Sequence, residues 1–157
     1  MRKHQKGFSL IELLIVVAII LIIAAIAIPN LLRSKMAANE ASAVGSLRTL
    51  NTACVSYSST YGIGFPAALA NLAPAAAATS AAADLIDSVL AAGNKTGYVF
   101  TYTAGAAVVG VVPTYGITAN PQKQDQTGVR YFFTDQSGVI RQNVGGAATA
   151  TSTPISN

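Results

Sequence analysis

The sequence predicts an α+β fold, with one long N-terminal helix and a small antiparallel sheet of about four strands in the head. Three observations predict it. Leu10 to Ile28 is an almost unbroken apolar run. An amphipathic pattern of helical period then continues as far as Tyr61. The last third switches to short segments rich in aromatic and β-favouring residues, separated by turn signals. The length of 157 residues suits a single domain.

Residues 1–7 carry Arg2, Lys3 and Lys6 ahead of Gly7. They are too few to hold the apolar region of a secretory signal, whose cleavage site follows that region. Here Gly7 comes before the apolar run. Cleavage after Gly7 would leave the anchor on the mature chain, beginning at Phe8. An uncleaved anchor is the plain alternative, and it leaves Glu12 without a role.

Leu10 to Ile28 would measure about 28 Å as a helix, close to the ~30 Å hydrocarbon core of a bilayer. Glu12 is its only charge. An acid deep in a bilayer helix costs about 2.5–3.5 kcal/mol on insertion scales, so it normally has a partner or a proton. No basic residue within the run can reach it. After cleavage the available cation is the amino terminus of Phe8, on the same chain or on a neighbour. Otherwise Glu12 snorkels, or is protonated, near the interface. Arg33 and Lys35 follow the run, against three basic residues before it. That narrow margin orients residues 1–7 to the cytoplasm and the head outside.

Pro29 lacks an amide donor and crowds the preceding turn, but helical residues flank it. It is expected to kink or locally open one helix running from about Ser9 to Tyr61, on the order of 80 Å, rather than to end it. Beyond Pro29, Met36, Ala43, Leu47, Leu50, Cys54, Tyr57 and Tyr61 recur at spacings of three, four or seven, which puts them on one face. Arg33, Lys35, Asn39, Ser46, Thr49 and Ser56 fall mostly elsewhere. The head is expected to pack on that stripe, chiefly through Leu47, Leu50, Cys54 and Tyr57. Gly62 offers a stop, with Gly64 and Pro66 beyond.

Residues 62–143 then form the head. Pro74 to Ala83 is alanine-rich and low in complexity. Asp84 to Ala92 reads as a short helix with acids near its start and Gly93 after its end. Strands are expected at Tyr98–Thr103, more weakly at Pro113–Ala119, at Val129–Thr134 and at Val139–Asn143. Asp135-Gln136-Ser137-Gly138 should turn the last pair into an antiparallel hairpin. Residues 144–157 have little to bury and read as a mobile tail. There is no internal repeat.

The basic leader ending in Gly7, then Phe8, then Glu12 four residues on, then an Ile/Leu/Val/Ala run ending near Pro29, resembles the type IV pilin and type II secretion pseudopilin family. It is similar to a prepilin with a class III-type leader and an N-terminal methylation motif. The likeness is close over residues 6–33 and looser along the rest of the helix. Phe65-Pro66-Ala67-Ala68-Leu69-Ala70-Asn71-Leu72 also looks like a segment that often follows pilin helices. The resemblance implies the type IV pilin fold. Its parts here are a leader at 1–7, a helix at 8–61 (8–28 for membrane and filament core, 29–61 amphipathic), a head at 62–143 and a tail at 144–157. It implies cleavage between Gly7 and Phe8 and methylation of Phe8 by a prepilin peptidase/N-methyltransferase. It implies polymerisation into a helical homo-oligomer, with Phe8, Glu12 and Pro29 in assembly and Glu12 facing the Phe8 amine of a neighbour. It also implies an inner-membrane assembly platform with its ATPase, and membrane lipid around the precursor before a surface filament forms. A pseudopilin of type II secretion, confined to the periplasm, and a DNA-uptake pilin are the alternatives.

The remaining observations exclude more than they assign. The hydrophobic share is 52% and the mean hydropathy +0.47, owing to the apolar run and the many alanines. The pI near 9.4 is largely a property of residues 1–7. Without Arg2, Lys3 and Lys6 the formal charge falls from +4 to +1, with 7 basic against 6 acidic side chains. So small a balance gives no global reason to bind nucleic acid. The single histidine, His4, precedes Gly7, so the mature chain has no histidine for a metal site, a triad or a Cys-His pair. No catalytic residue, cofactor or metal is expected, and an enzyme is not. Cys54 is the single cysteine, so the paired cysteines of many pilins are missing, and it reads as a core residue. Asp125 and Asp135 read as turn residues rather than calcium ligands. Arg130, Arg141 and Lys123 with Tyr131 and Phe132 read as a sheet face rather than a DNA patch. Asn94-Lys95-Thr96 reads as a polar loop rather than a glycosylation acceptor.

Overall fold

The computed structural model describes residues 8–156. Helix α1 is Leu10–Tyr61, and it continues through Pro29 as expected. The chain divides into two units between Lys35 and Met36, a boundary that α1 crosses. In the first unit, every described residue except Ala24 is exposed. Ile11, Ile19 and Leu31 are more than half exposed. Such a helix is long and apolar enough to cross a membrane.

The second unit has its own core. A 3₁₀ turn at Leu69–Leu72 and a short helix α2 at Ser88–Ala91 precede the sheet. The six strands are β1 (Asn94–Lys95), β2 (Tyr98–Ala104), β3 (Tyr115–Pro121), β4 (Arg130–Asp135), β5 (Arg141–Val144) and β6 (Thr153–Pro154). They form one antiparallel meander in chain order, each strand paired with the next. The α+β architecture is therefore as the sequence predicts, but the sheet has six strands rather than about four. The extra two, β1 and β6, have two residues each, too short for alternation to show. What makes β1 is the turn after it. Thr96 and Gly97 both take positive φ (48° and 75°), closing a two-residue hairpin that pairs Lys95 with Tyr98.

Boundaries shift elsewhere for local reasons. The short helix keeps only Ser88–Ala91, because Asp87 caps it by accepting from the Leu90 N–H at 2.9 Å. The expected hairpin is there, with Phe133 opposite Arg141. Asp135 starts its turn by accepting from the Ser137 N–H at 2.9 Å, and Gly138 has φ 73°. Val139 and Ile140 lie in the connection, and Ile140 is buried. Residues 144–156 do not lack a core role. Ala148 is buried, Ile155 packs against the core, and Thr153 and Pro154 pair with β5.

The stripe on α1 meets the sheet's inner face. Ala43, Leu47, Leu50, Cys54 and Tyr57 are buried with Tyr98, Phe100, Tyr115, Ile117, Ala119 and Phe132. Along β3 burial alternates strictly, Tyr115, Ile117, Ala119 and Pro121 pointing inward. Met36 and Tyr61, at the ends of the stripe, are only half-buried. Two polar residues expected elsewhere, Asn39 and Ser46, are buried. Asn39 donates to the Thr127 carbonyl at 2.8 Å. Asn51 donates to Thr134 Oγ1 and accepts from the Tyr115 hydroxyl, at 2.9 and 3.1 Å. These bonds give buried polar groups the partners they need.

Cys54 is fully buried in this core. Burial pushes its thiol up to about 12 from 9.0, against a lowering contact with Tyr102. That alone reduces the thiolate fraction about a thousandfold at neutral pH. Alkylation of Cys54 by iodoacetamide at pH 8 should therefore be at least a hundredfold slower in the native chain than in urea. Equal rates would place the thiol outside the core.

Candidate functional site

The start of α1 is built from three residues. Ser9 stands just before the first helical residue, and its carbonyl accepts from the Leu13 N–H at 3.2 Å. Glu12 is the acid of the first turn, and its Oε2 accepts from the Ser9 N–H at 2.9 Å. This is the return half of a capping box, in which the acid satisfies one of the orphan amides of the helix end. The positive end of the helix dipole favours a carboxylate there. Phe8, immediately before, is 85% exposed. Glu12 is thus held within one turn of the residue that would become the amino terminus. Gly7, the other half of the expected processing site, lies outside the described residues, as does His4.

Pro29 sits within α1, in the exposed unit. Leu47, Leu50, Cys54 and Tyr57 lie in the core of the other. The expected site residues therefore fall in two groups: Phe8, Glu12 and Pro29 in the exposed unit, and the stripe under the sheet. Among the described residues no group of three or more His, Cys, Asp or Glu side chains could hold a metal. Asp125 and Asp135 occupy turns: the Asp125 N–H donates to the Gly128 carbonyl at 3.0 Å. Three members of the basic-aromatic set are engaged within the head. Phe132 is fully buried, so no base can stack on it. Arg130 is taken by Glu40 at 2.7 Å, and Arg141 donates to the Ser152 carbonyl at 3.1 Å.

Glu40 is the residue that sequence reasoning missed. It is buried on α1 and holds the start of β4 and the residue before it at three points. Oε1 accepts from the N–H groups of Val129 and Arg130 at 2.8 and 3.1 Å. Oε2 accepts from Arg130 Nε at 2.7 Å. Burial pushes the carboxyl up, but the Val129 amide, the Arg130 guanidinium and the Arg130 amide outweigh it and hold it below its ordinary value. A signal existed. Glu40 lies three residues before Ala43 and seven before Leu47, so it sits on the apolar stripe itself.

Comparison with known proteins bears on part of the chain. Residues 2–28 match the model of the prokaryotic N-terminal methylation motif. The chain is 60% identical over 38 residues to the type IV wide pilus major component PilA4 of Thermus thermophilus, covering 24% of this chain and 29% of that protein. It is 50% identical over 58 residues to the type IV major fimbrial protein FimA of Dichelobacter nodosus, covering 35% and 37%. It is 48% identical over 54 residues to the type IV major pilin protein PilA of Myxococcus xanthus, covering 34% and 24%. The matched stretch thus spans between 24% and 37% of these relatives. No solved structure matches the chain. An N-terminal methylation motif and partial matches to three type IV pilins, with a long helix followed by an antiparallel sheet, make the chain similar to type IV pilins.

Proposed function

We propose that the chain is a structural, non-enzymatic subunit of a type IV pilus, made as a membrane-inserted precursor with its head outside the cytoplasm. A prepilin peptidase/N-methyltransferase cleaves it after Gly7 and methylates Phe8. An inner-membrane platform and its ATPase then draw the subunit from lipid into a surface filament serving adhesion or motility. The observation that carries this reading is the exposed apolar stretch of α1 with one acid, Glu12, held in its first turn. Lipid, and then the helices of neighbouring copies, are the surroundings that such a surface fits. The relatives support a pilus over a secretion pseudopilus, since each is named as a pilus or fimbrial component. The buried Phe132 and the Glu40–Arg130 pair weigh against a DNA-uptake role.

Electron microscopy of cells with and without the gene tests the reading: surface filaments should vanish in the deletion strain and return with the intact gene. Unchanged filaments would overturn it. Mass spectrometry of sheared filaments should find a chain beginning at methylated Phe8. Gly7→Val should leave residues 1–7 attached, because a branched side chain at the scissile bond obstructs the peptidase where glycine leaves it open. A mature chain starting at Met1, or beyond Ile28, would sink the processing step.

A further inference from the structure

The connection between β2 and β3 carries a feature that neither the core nor the helix end uses. Val108 and Val111 exchange both backbone hydrogen bonds, at 2.8 and 3.0 Å. Between them Val109 and Gly110 both have positive φ, 51° and 79°. This is a tight two-residue hairpin of the kind that normally takes Asn, Asp or Gly at its first position. A β-branched residue there is a genuine conformational outlier. Val109 is also 98% exposed, and Val108 is 62% exposed. The chain therefore spends head stability on displaying an apolar residue where a polar one folds better. Nothing inside the head explains that choice.

The hairpin is held in place at its base. The Phe65 N–H donates to the Val112 carbonyl at 2.9 Å, and the Val112 N–H to the Ile63 carbonyl at 3.3 Å. The approach is so close that a Cβ on Gly64 would strike the Val112 carbonyl and the Val111 side chain. Ile63 and Val111, each about two-fifths exposed, thereby continue the apolar tip onto the body of the head. No charged residue occurs from Thr96 to Gln122.

We propose that this hairpin tip is a head-to-head contact seated on a second copy of this chain in the filament. Four side chains of this size expose a few hundred Å², well short of the roughly 1,200–2,000 Å² that a free-standing complex buries. The tip alone therefore cannot hold two molecules together. It fits a contact between molecules that another interface already holds side by side, and the exposed apolar stretch of α1 is that interface. Residues 49–83 of the neighbour contain no charged side chain either, and Val55 within them is 55% exposed. The inference rests on the filament reading above and adds a specific contact to it.

The test uses the full chain bearing Val109→Cys, with buried Cys54 as the silent internal control. Maleimide labelling of Val109→Cys should be at least tenfold slower in sheared, purified filaments than in detergent-solubilised subunits. Equal rates in intact filaments would overturn the contact while leaving the filament reading standing. Failure of the parent chain to form filaments would overturn both. Val109→Asn gives a second readout with opposite signs. Relief of the strained φ should raise the melting temperature of the subunit, while filaments should break at lower shear or lower temperature than the parent's. Filaments as robust as the parent's would mean that no copy sits on the tip.

Discussion

Glu40→Ala is expected to destabilise the head by roughly 3–5 kcal/mol, read by urea unfolding of the full chain in detergent. The substitution strands the Val129 and Arg130 N–H groups, which Glu40 receives at 2.8 and 3.1 Å, at about 1–3 kcal/mol each. It also removes the counter-charge of Arg130, whose side chain is 39% exposed and so recovers part of its hydration. The stranded amides therefore weigh more than the lost ion pair. Glu40→Gln separates the two. It keeps an acceptor for the amides but turns a neutral amide toward the guanidinium, so its loss should be smaller. The pH dependence follows from the direction of the shift. The folded carboxyl lies below its ordinary value of 4.5, so its contribution is fully present above that value and is lost as the pH falls through the folded one. The parent should lose stability over that acidic range more steeply than Glu40→Gln. Equal unfolding midpoints for the parent and Glu40→Ala at neutral pH would mean that β4 is held by other contacts.

What was legible in the sequence follows from the range of each signal. The helix was legible end to end because an apolar run and then a helical-period stripe extend over fifty residues. Pro29 sits in the middle of that pattern without ending it. Leu47, Leu50, Cys54 and Tyr57 were legible for the same reason. The strands β2 and β4 carry enough aromatic and branched residues to declare themselves. Strands β1 and β6 do not, because two residues cannot alternate. They exist only through their partners, as Gln142 opposite Thr153 shows. The final segment looked idle because alanine, glycine and threonine are ambiguous alone. Ala148 is buried because of where the chain returns, not because of its own hydrophobicity. Glu40 was hidden by a different bias. An acid on an apolar stripe looks like an interruption until its partners, ninety residues away in sequence, are placed against it. Glu12 was conspicuous because no partner could be imagined for it within the run. Its bond to the Ser9 amide explains its local geometry, but among the described residues no cation pairs with it.

That remaining charge makes Glu12→Val the substitution with the largest expected effect on assembly. As a membrane-inserted subunit the variant should behave at least as well as the parent, because it has lost the one charge of its span. The lost acceptor for the Ser9 N–H should fray the first turn by no more than a weak cap, about 1 kcal/mol. Leader cleavage should persist, since Gly7 and Phe8 are unchanged. Filaments should nonetheless fall at least a hundredfold in number. In the proposed assembly the Phe8 amine of an adjoining copy enters an apolar bundle and finds no carboxylate. An unpaired buried charge costs about 3–5 kcal/mol, and a filament repeats it at every subunit. Glu12→Gln distinguishes charge from capping. It can still accept from the Ser9 N–H but cannot neutralise an amine, so it should fail as Glu12→Val does. Filament counts should be made on cells with equal amounts of processed subunit. Parent-like counts from Glu12→Val would reduce Glu12 to a residue snorkelling at the interface. Parent-like counts from Glu12→Gln alone would assign its role to the helix cap rather than to the pairing between copies.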